Sequence, residues 1–286
     1  MIRNYLKQTW RSLVKNKTYS FLNIIGLAVG LTCFALIALW VNDELSYDKF
    51  NKNYDRIVRL TGIEKRESGI SESAVSSAPM AKALKNDYAE VENTVRFDMH
   101  EEIIEHNGQQ ILEPRILVTD PSIFHIFSYK LTNGDVASVL KEPYTIVLTQ
   151  STAKKYFGDK DPMGQTLLIY MNDSTGRGVN YTVTGLIPDP PKNAHFTFNM
   201  LASFKTVEVA NPDVLTVDGW GDASYYTYLL LKKGVDYKAF SNKISQFYAK
   251  YIGDRFETWR PIYFYKLQPL SDIHLRSNLQ YELAPT

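Results

Sequence analysis

Cysteine is nearly missing from this 286-residue chain: the single one, Cys33, lies inside the longest uncharged run. The polypeptide after that run can form no internal disulfide, so its stability must come from a packed core. Charge of one sign is missing too. A net charge of +1 excludes a global field that would draw the protein to nucleic acid or acidic substrates. Recognisable reaction chemistry is absent as well. There is no GxSxG nucleophile elbow. Gly158-Asp-Lys-Asp-Pro-Met-Gly164-Gln-Thr166 puts five residues between its glycines where a phosphate loop has four, and Gln165 stands where the lysine is needed. A helix stop followed by a turn accounts for it. His100-Glu-Glu-Ile-Ile-Glu-His106 resembles a zinc helix only superficially, because histidines six apart do not share a helical face as an i, i+4 pair does. Both read as surface residues. His125, His195 and His274 are isolated in sequence, so none of the five histidines is expected to matter for activity. Asp43, Glu44 and Asp48 could hold a divalent cation, but an acidic solvated flank is the simpler reading. The sequons Asn172-Asp-Ser174 and Asn180-Tyr-Thr182 matter only in a eukaryotic secretory route. No catalytic residue, metal ligand or cofactor site is assigned, and an enzyme is not expected.

Ordered structure is well represented. The chain is 44% hydrophobic, 13% aromatic and 22% charged, which excludes an intrinsically disordered protein. Its charges are unevenly spread. Residues 1–20 contain Arg3, Lys7, Arg11, Lys15 and Lys17 and no acid. Next comes FLNIIGLAVGLTCFALIALWV, Phe21 to Val41, 21 residues without a charge. At about 1.5 Å per residue it spans roughly 30 Å, the thickness of a bilayer's hydrocarbon core. A cleavable signal peptide would have a shorter apolar region and a small-x-small site, which Ala35-Leu-Ile-Ala38-Leu-Trp40 does not supply. The run reads as an uncleaved transmembrane helix. Five bases precede it and Asp43, Glu44 and Asp48 follow it, so the Lys and Arg bias predicts a cytoplasmic N-terminus with residues 42–286 exported.

Arg3, Lys7, Arg11 and Lys15 recur every four residues and form one helical stripe, with Ile2, Tyr5, Leu6, Trp10 and Leu13 opposite. This pattern suits an amphipathic helix at the membrane interface, with Trp10 in lipid and the bases toward anionic headgroups. A plain positive flank explains the same charges. Gly26-Leu-Ala-Val-Gly30 is a GxxxG, which lets a second helix approach closely.

From Asn42 onward the pattern predicts one globular α+β region. Strands are indicated at 56–61, 144–149, 181–187, 225–231 and 262–267. In Tyr181-Thr-Val-Thr184 apolar and hydroxyl residues alternate between faces. Helices are indicated at 79–86, at 151–157 closed by Gly158, and at 236–252, where Tyr237, Phe240, Ile244, Phe247, Tyr248 and Tyr251 suit one face. Loops are marked at Asp161-Pro162, 172–178, 188–193 and 211–213. Two intertwined subdomains fit these signals, but pattern alone places no border between them.

Several short motifs resemble the ABC transporter permeases of the MacB/FtsX type. Trp10-Arg-Ser-Leu-Val-Lys-Asn-Lys17 and Leu22-Asn-Ile-Ile-Gly-Leu-Ala-Val-Gly30-Leu31 look like their start. Ser77-Ala-Pro-Met-Ala81, Val118-Thr-Asp-Pro-Ser-Ile-Phe124, Ile146-Val-Leu-Thr-Gln-Ser-Thr-Ala-Lys-Lys-Tyr-Phe-Gly158, Asp161-Pro-Met-Gly164, Val183-Thr-Gly185 and Leu270-Ser-Asp-Ile-His-Leu275 resemble the periplasmic core domain in the same order. The resemblance implies a non-enzymatic permease subunit of the bacterial inner membrane. It has an interfacial segment (1–20), a first membrane helix (21–41) and a periplasmic domain (42–286) with a porter-like part and a second mixed part. It further implies a homodimer or a related permease subunit as partner, a cytoplasmic ABC ATPase, and use in export or mechanical work. Such permeases cross the membrane again, so the chain reads as an N-terminal portion. The alternative from another class is a single-pass extracytoplasmic sensor, against which stands the short basic cytoplasmic stretch.

Overall fold

The computed structural model describes residues 2–171, 177–253, 258 and 263–283. It divides into two units, Met1–Ser46 and Tyr47–Thr286. The sequon at Asn172 and most of the loop 172–178 lie outside the described residues, as do Ile262 and the side chains of Ile2 and Leu6.

The first unit holds α1 (Ile2–Lys15) and α2 (Lys17–Glu44). Asn16, at φ −108° and ψ 58°, breaks the helical path between them. Ser20 is buried there and donates its hydroxyl to the Leu13 carbonyl at 3.0 Å, satisfying one of the carbonyls that the last turn of α1 leaves open. Helix α2 extends beyond the apolar run at both ends, since the polar flanking residues are compatible with helix. Its large side chains are exposed all round, Phe21, Leu27, Phe34 and Leu39 among them. A helix this long and apolar on every side is suited to lipid rather than water.

The second unit contains β1 (Ile57–Arg66), β2 (Gly69–Ser73), α3 (Ala78–Asp87), β3 (Val91–His106), β4 (Gln109–Thr119), α4 (Ile123–Ile126), β5 (Thr145–Thr149), α5 (Gln150–Phe157) and β6 (Thr166–Ile169). It continues through β7 (Val179–Ile187), β8 (Met200–Ser203), α6 (Lys205–Ala210), β9 (Tyr226–Leu231), α7 (Tyr237–Lys243), α8 (Ala249–Ile252), β10 (Tyr263–Pro269) and α9 (Ile273–Arg276). The strands run in the order β10-β1-β9-β3-β4-β8-β5-β7-β6, with β2 beside β1. Strand β6 also pairs back with β3, Ile104 opposite Ile169. Thus β3-β4-β8-β5-β7-β6 form a closed ring and β10-β1-β9 an open wing. Strand β3 belongs to both, its first half on β9 and its second on β4 and β6.

Alternation decides which core each residue enters. In the ring, Ile116, Val118, Ile146, Leu148, Met200 and Ala202 join one core, while Leu117, Val147 and Leu201 between them join another. These strands are apolar on both faces because both are covered. In the wing, Val58, Leu60, Leu229 and Leu231 pack under α3 and α7, while Ile57, Tyr228 and Leu230 face the shared core. The alternation in Tyr181-Thr-Val-Thr184 is present as expected, with Tyr181 and Val183 buried.

One expectation changes. The helix anticipated over 236–252 is interrupted between α7 and α8, although Phe240, Ile244, Phe247 and Tyr248 all enter one core. The reason is the edge of β10: Tyr265 N–H donates to the Ser245 carbonyl and Leu267 N–H to the Ser241 hydroxyl, both at 2.9 Å. The segment gives hydrogen-bonding groups to the strand, so its helical ladder is not continuous. The His100 to His106 segment, whose spacing argues against a zinc helix, is strand. Pattern also overlooked β2, β3, β4, β6 and β8.

Candidate functional site

The segment that follows α2 enters the second unit at Tyr47. Asp48 is not a solvated acid, as its sequence context suggests, but is 1% exposed and has φ 60°. Its N–H donates to the Asn193 carbonyl at 2.8 Å, and its carbonyl accepts from Asn51 N at 3.0 Å and Asn51 Nδ2 at 2.9 Å. Its Oδ1 accepts the His195 N–H at 3.3 Å and lies 2.8 Å from His195 Nδ1, off hydrogen-bond alignment. Asp48 Oδ2 is buried with no protein partner. A buried carboxylate is costly without full pairing, so this end of the arrangement is only half satisfied.

His195 Nε2 is 2.8 Å from the Tyr228 hydroxyl. Tyr228 sits directly across from Arg59 on β1, and Arg59 across from Gln268 on β10. These three share one face because cross-strand partners always do. Arg59 is fully buried and donates to Glu282 (2.6 and 2.9 Å), Gln268 (3.2 and 2.7 Å) and Ser277 (3.1 Å). Ser277 in turn donates to Glu282. Burial works against the Arg59 charge, but Tyr228 and Glu282 outweigh it and hold the guanidinium above its ordinary value. Burial pushes the Tyr228 hydroxyl well up, with Arg59 acting in the opposite sense. Burial raises the Glu282 carboxyl, yet its bonds to Arg59 and Ser277 leave it below the usual carboxylate range.

Asp48, His195 and Tyr228 therefore follow one another at an apolar core that includes Phe127 and Phe196, and the Arg59–Glu282 pair lies beside Tyr228 across strands β9 and β1. Asp48 lies just after the anchor helix and Glu282 close to the last described residues. The two segments that carry them meet directly: the Tyr47 ring stacks on His274 at 3.4 Å, and Tyr47, Ser277, Glu282 and Leu283 line one cavity of about 120 Å³.

Other anticipated residues lie apart from this group. Arg3, Lys7, Trp10, Arg11 and Lys15 are exposed along α1. Gly26 and Gly30 lie on α2 in open space, where an added Cβ would meet nothing within 4 Å. His100 is held between Asp98 (2.8 Å) and Glu102 (3.5 Å), while His106 packs against Phe157. Among the described residues no group of three or more His, Cys, Asp and Glu could hold a metal ion. Pattern reading overlooked Arg59, Tyr228 and Glu282, and treated Asp48 and His195 as ordinary. The one available signal was a charged residue, Arg59, inside the apolar strand Ile57-Val-Arg-Leu60.

A helix long and apolar enough to cross a membrane thus precedes a mixed α+β domain. The model of the MacB-like periplasmic core domain matches residues 20–247, and the chain belongs to that family, which is found in ABC transporter permeases. A crystallised domain from Porphyromonas gingivalis, described as part of a permease protein, is similar with a TM-score of 0.64 and 20% identity, over 77% of this chain and 91% of that one. The periplasmic region of MacB from Actinobacillus actinomycetemcomitans is similar with a TM-score of 0.50 and 12% identity, over 77% and 91%. No curated protein matches. At these identities the solved structures show a shared fold. The mixed α+β architecture, the N-terminal apolar helix and the family all agree with the reading of the sequence.

Proposed function

We propose that this chain supplies the first membrane helix and the extracytoplasmic domain of an ABC transporter permease of the bacterial inner membrane. In this reading residues 1–20 lie at the cytoplasmic interface, 21–41 span the bilayer and 42–286 are periplasmic. A cytoplasmic ATPase subunit hydrolyses ATP, and the permease, paired with a second copy or a related subunit, converts that event into displacement of the domain for export or other mechanical work. The observation that carries the reading is the family match, which begins inside the anchor helix and runs through most of the body. Arg3, Lys7, Trp10, Arg11 and Lys15 are assigned to the lipid interface, where the bases meet anionic headgroups and the indole sits among acyl chains. Gly26 and Gly30 are assigned to close packing of α2 against another membrane helix.

Orientation is tested by reporter fusions at Lys17 and after Gly158, which should report opposite compartments. Cytoplasmic signal from both sinks the topology and the permease reading with it. Displacement is tested in the assembled transporter by pairing cysteines across the contact between two copies, since residues 42–286 contain none of their own. Oxidation should stop transport and reduction restore it. Normal transport by the locked pair would show that displacement is not required.

A further inference from the structure

In the wing, β1, β2 and β10 form the base of a cleft of about 410 Å³, a size that takes a small organic ligand. Register fixes that base. Gly62 and Glu64 of β1 lie opposite Ser73 and Ser71 of β2 on one side and opposite Tyr265 and Tyr263 of β10 on the other, so these six share one face. Gly62 keeps the middle of the face low: a Cβ there would come within 3.0 Å of Ser73 Oγ and 3.8 Å of the Tyr265 ring. Trp220 lines another wall, its carbonyl held by the Ser77 hydroxyl at 2.7 Å. Tyr281 also lines the cleft, 70% exposed and at φ 57°. A tyrosine in the left-handed region is strained and persists only where its surroundings hold it. Here Gln280 N–H donates to the Glu72 carbonyl and Ala74 N–H to the Gln280 carbonyl, both at 2.9 Å, while Glu282 is bound to Arg59.

The lining selects among ligand chemistries. Glu64 and Arg66 already neutralise each other, so a charged ligand would have to break an existing pair. The Ser71 and Ser73 hydroxyls reach Gln280 Oε1 and the Val75 carbonyl only at 3.5 Å, the limit of a hydrogen bond. An apolar ligand would cover these hydroxyls without answering them. A peptide added as a strand would need a free sheet edge, but the β2 edge at Glu72 to Ala74 is bonded to Gln280. A sugar ring meets both demands: its hydroxyls suit the serines, and its C–H faces suit tyrosine rings, which offer apolar area with a polar tip.

We infer that this cleft is a binding site for an uncharged saccharide, with Tyr263, Tyr265 and Tyr281 against its C–H faces and Ser71, Ser73 and Gln280 at its hydroxyls. The site belongs to the wing alone and is independent of the permease reading. The test titrates the whole chain in nanodiscs with maltose, cellobiose and diacetylchitobiose, followed by saturation-transfer NMR against empty nanodiscs. At least one disaccharide should bind saturably. Tyr281→Ala should weaken that binding by about 10-fold, the scale of one aromatic contact, whereas Tyr281→Phe, which keeps the ring, should stay within about 2-fold. Ser71→Ala should weaken it by about 3-fold or more. An unchanged urea midpoint shows that a variant is folded, and Tyr281→Ala and Ser71→Ala each serve alone if the other fails that check. Binding of none of the three disaccharides, or equal binding by the native chain and the folded alanine variants, overturns the inference. Tighter binding of the tripeptide Ala-Tyr-Ala or of glucuronate, lost in the same variants, also overturns it, because the cleft would then be a peptide or an anion site.

Discussion

The ring and the wing share a strand but treat buried charge differently. In the ring, Glu113 is 1% exposed and every neighbour is aimed at it: Lys155 Nζ at 2.5 Å, Tyr156 OH at 2.8 Å and Asn199 Nδ2 at 2.6 Å. Arg96, where β3 leaves the wing, is similarly complete, bound to Asp120 and Glu208 and stacked on Phe204. Glu113 thus has both carboxylate oxygens bonded, whereas Asp48, beside the wing, keeps one oxygen without a partner.

The largest test of that contrast is Arg59→Ala, which strands the Glu282 carboxylate and the Gln268 side-chain oxygen. Urea unfolding of the chain should show a loss of about 3–5 kcal/mol. Next is Leu148→Ala in the ring, a fully buried side chain, for which we expect a loss of about 2–5 kcal/mol. Because β3 crosses both lobes, both changes should shift one common transition. Two separated transitions would break the view of β3 as a shared element.

A paired comparison is sharper. Glu113→Gln should cost about 1.5–3 kcal/mol, since it removes charge-assisted hydrogen bonds from a complete set. Asp48→Asn should cost about 1 kcal/mol or less, since the oxygen it alters has little to lose. The reverse order, measured from the same unfolding midpoints, would contradict the distinction between the lobes.

The smallest expected effect lies at the second half of β3. Burial disfavours the His100 cation, but Asp98 and Glu102 outweigh this and raise its folded-state value. A raised value means that the contribution is complete below the unfolded value of about 6.5 and disappears as pH rises through the folded one. Stability of the native chain should therefore fall by up to about 1 kcal/mol more than that of His100→Gln between those limits. Parallel pH profiles would show that the Asp98 and Glu102 contacts contribute nothing.

Local elements were the legible ones. Helix α2 follows from its uncharged run, and α5 was legible from its stop at Gly158, which has φ 60°, while its cap, Thr149 accepting from Thr152 N–H, is seen in the structure. Strands β5, β7 and β9 are continuous or alternating apolar runs. Strands β3 and β4 escaped notice because Glu101, Glu102 and Glu105 in the first and Glu113-Pro-Arg115 in the second interrupt the apolar signal. The Asn107-Gly108 turn between them, both residues at positive φ, was a hairpin signal not used. Ring closure through Ile104 and Ile169, and the grouping of Asp48, His195 and Tyr228, depend on contacts between residues distant in sequence. No local period marks them. His195 shows the limit best: five histidines looked alike along the chain, and only the fold places one between Asp48 and Tyr228.

Tyr47 and Leu283 line the same small cavity, so a short linker could join them and the body could be opened at a loop elsewhere, which is what circular permutation requires.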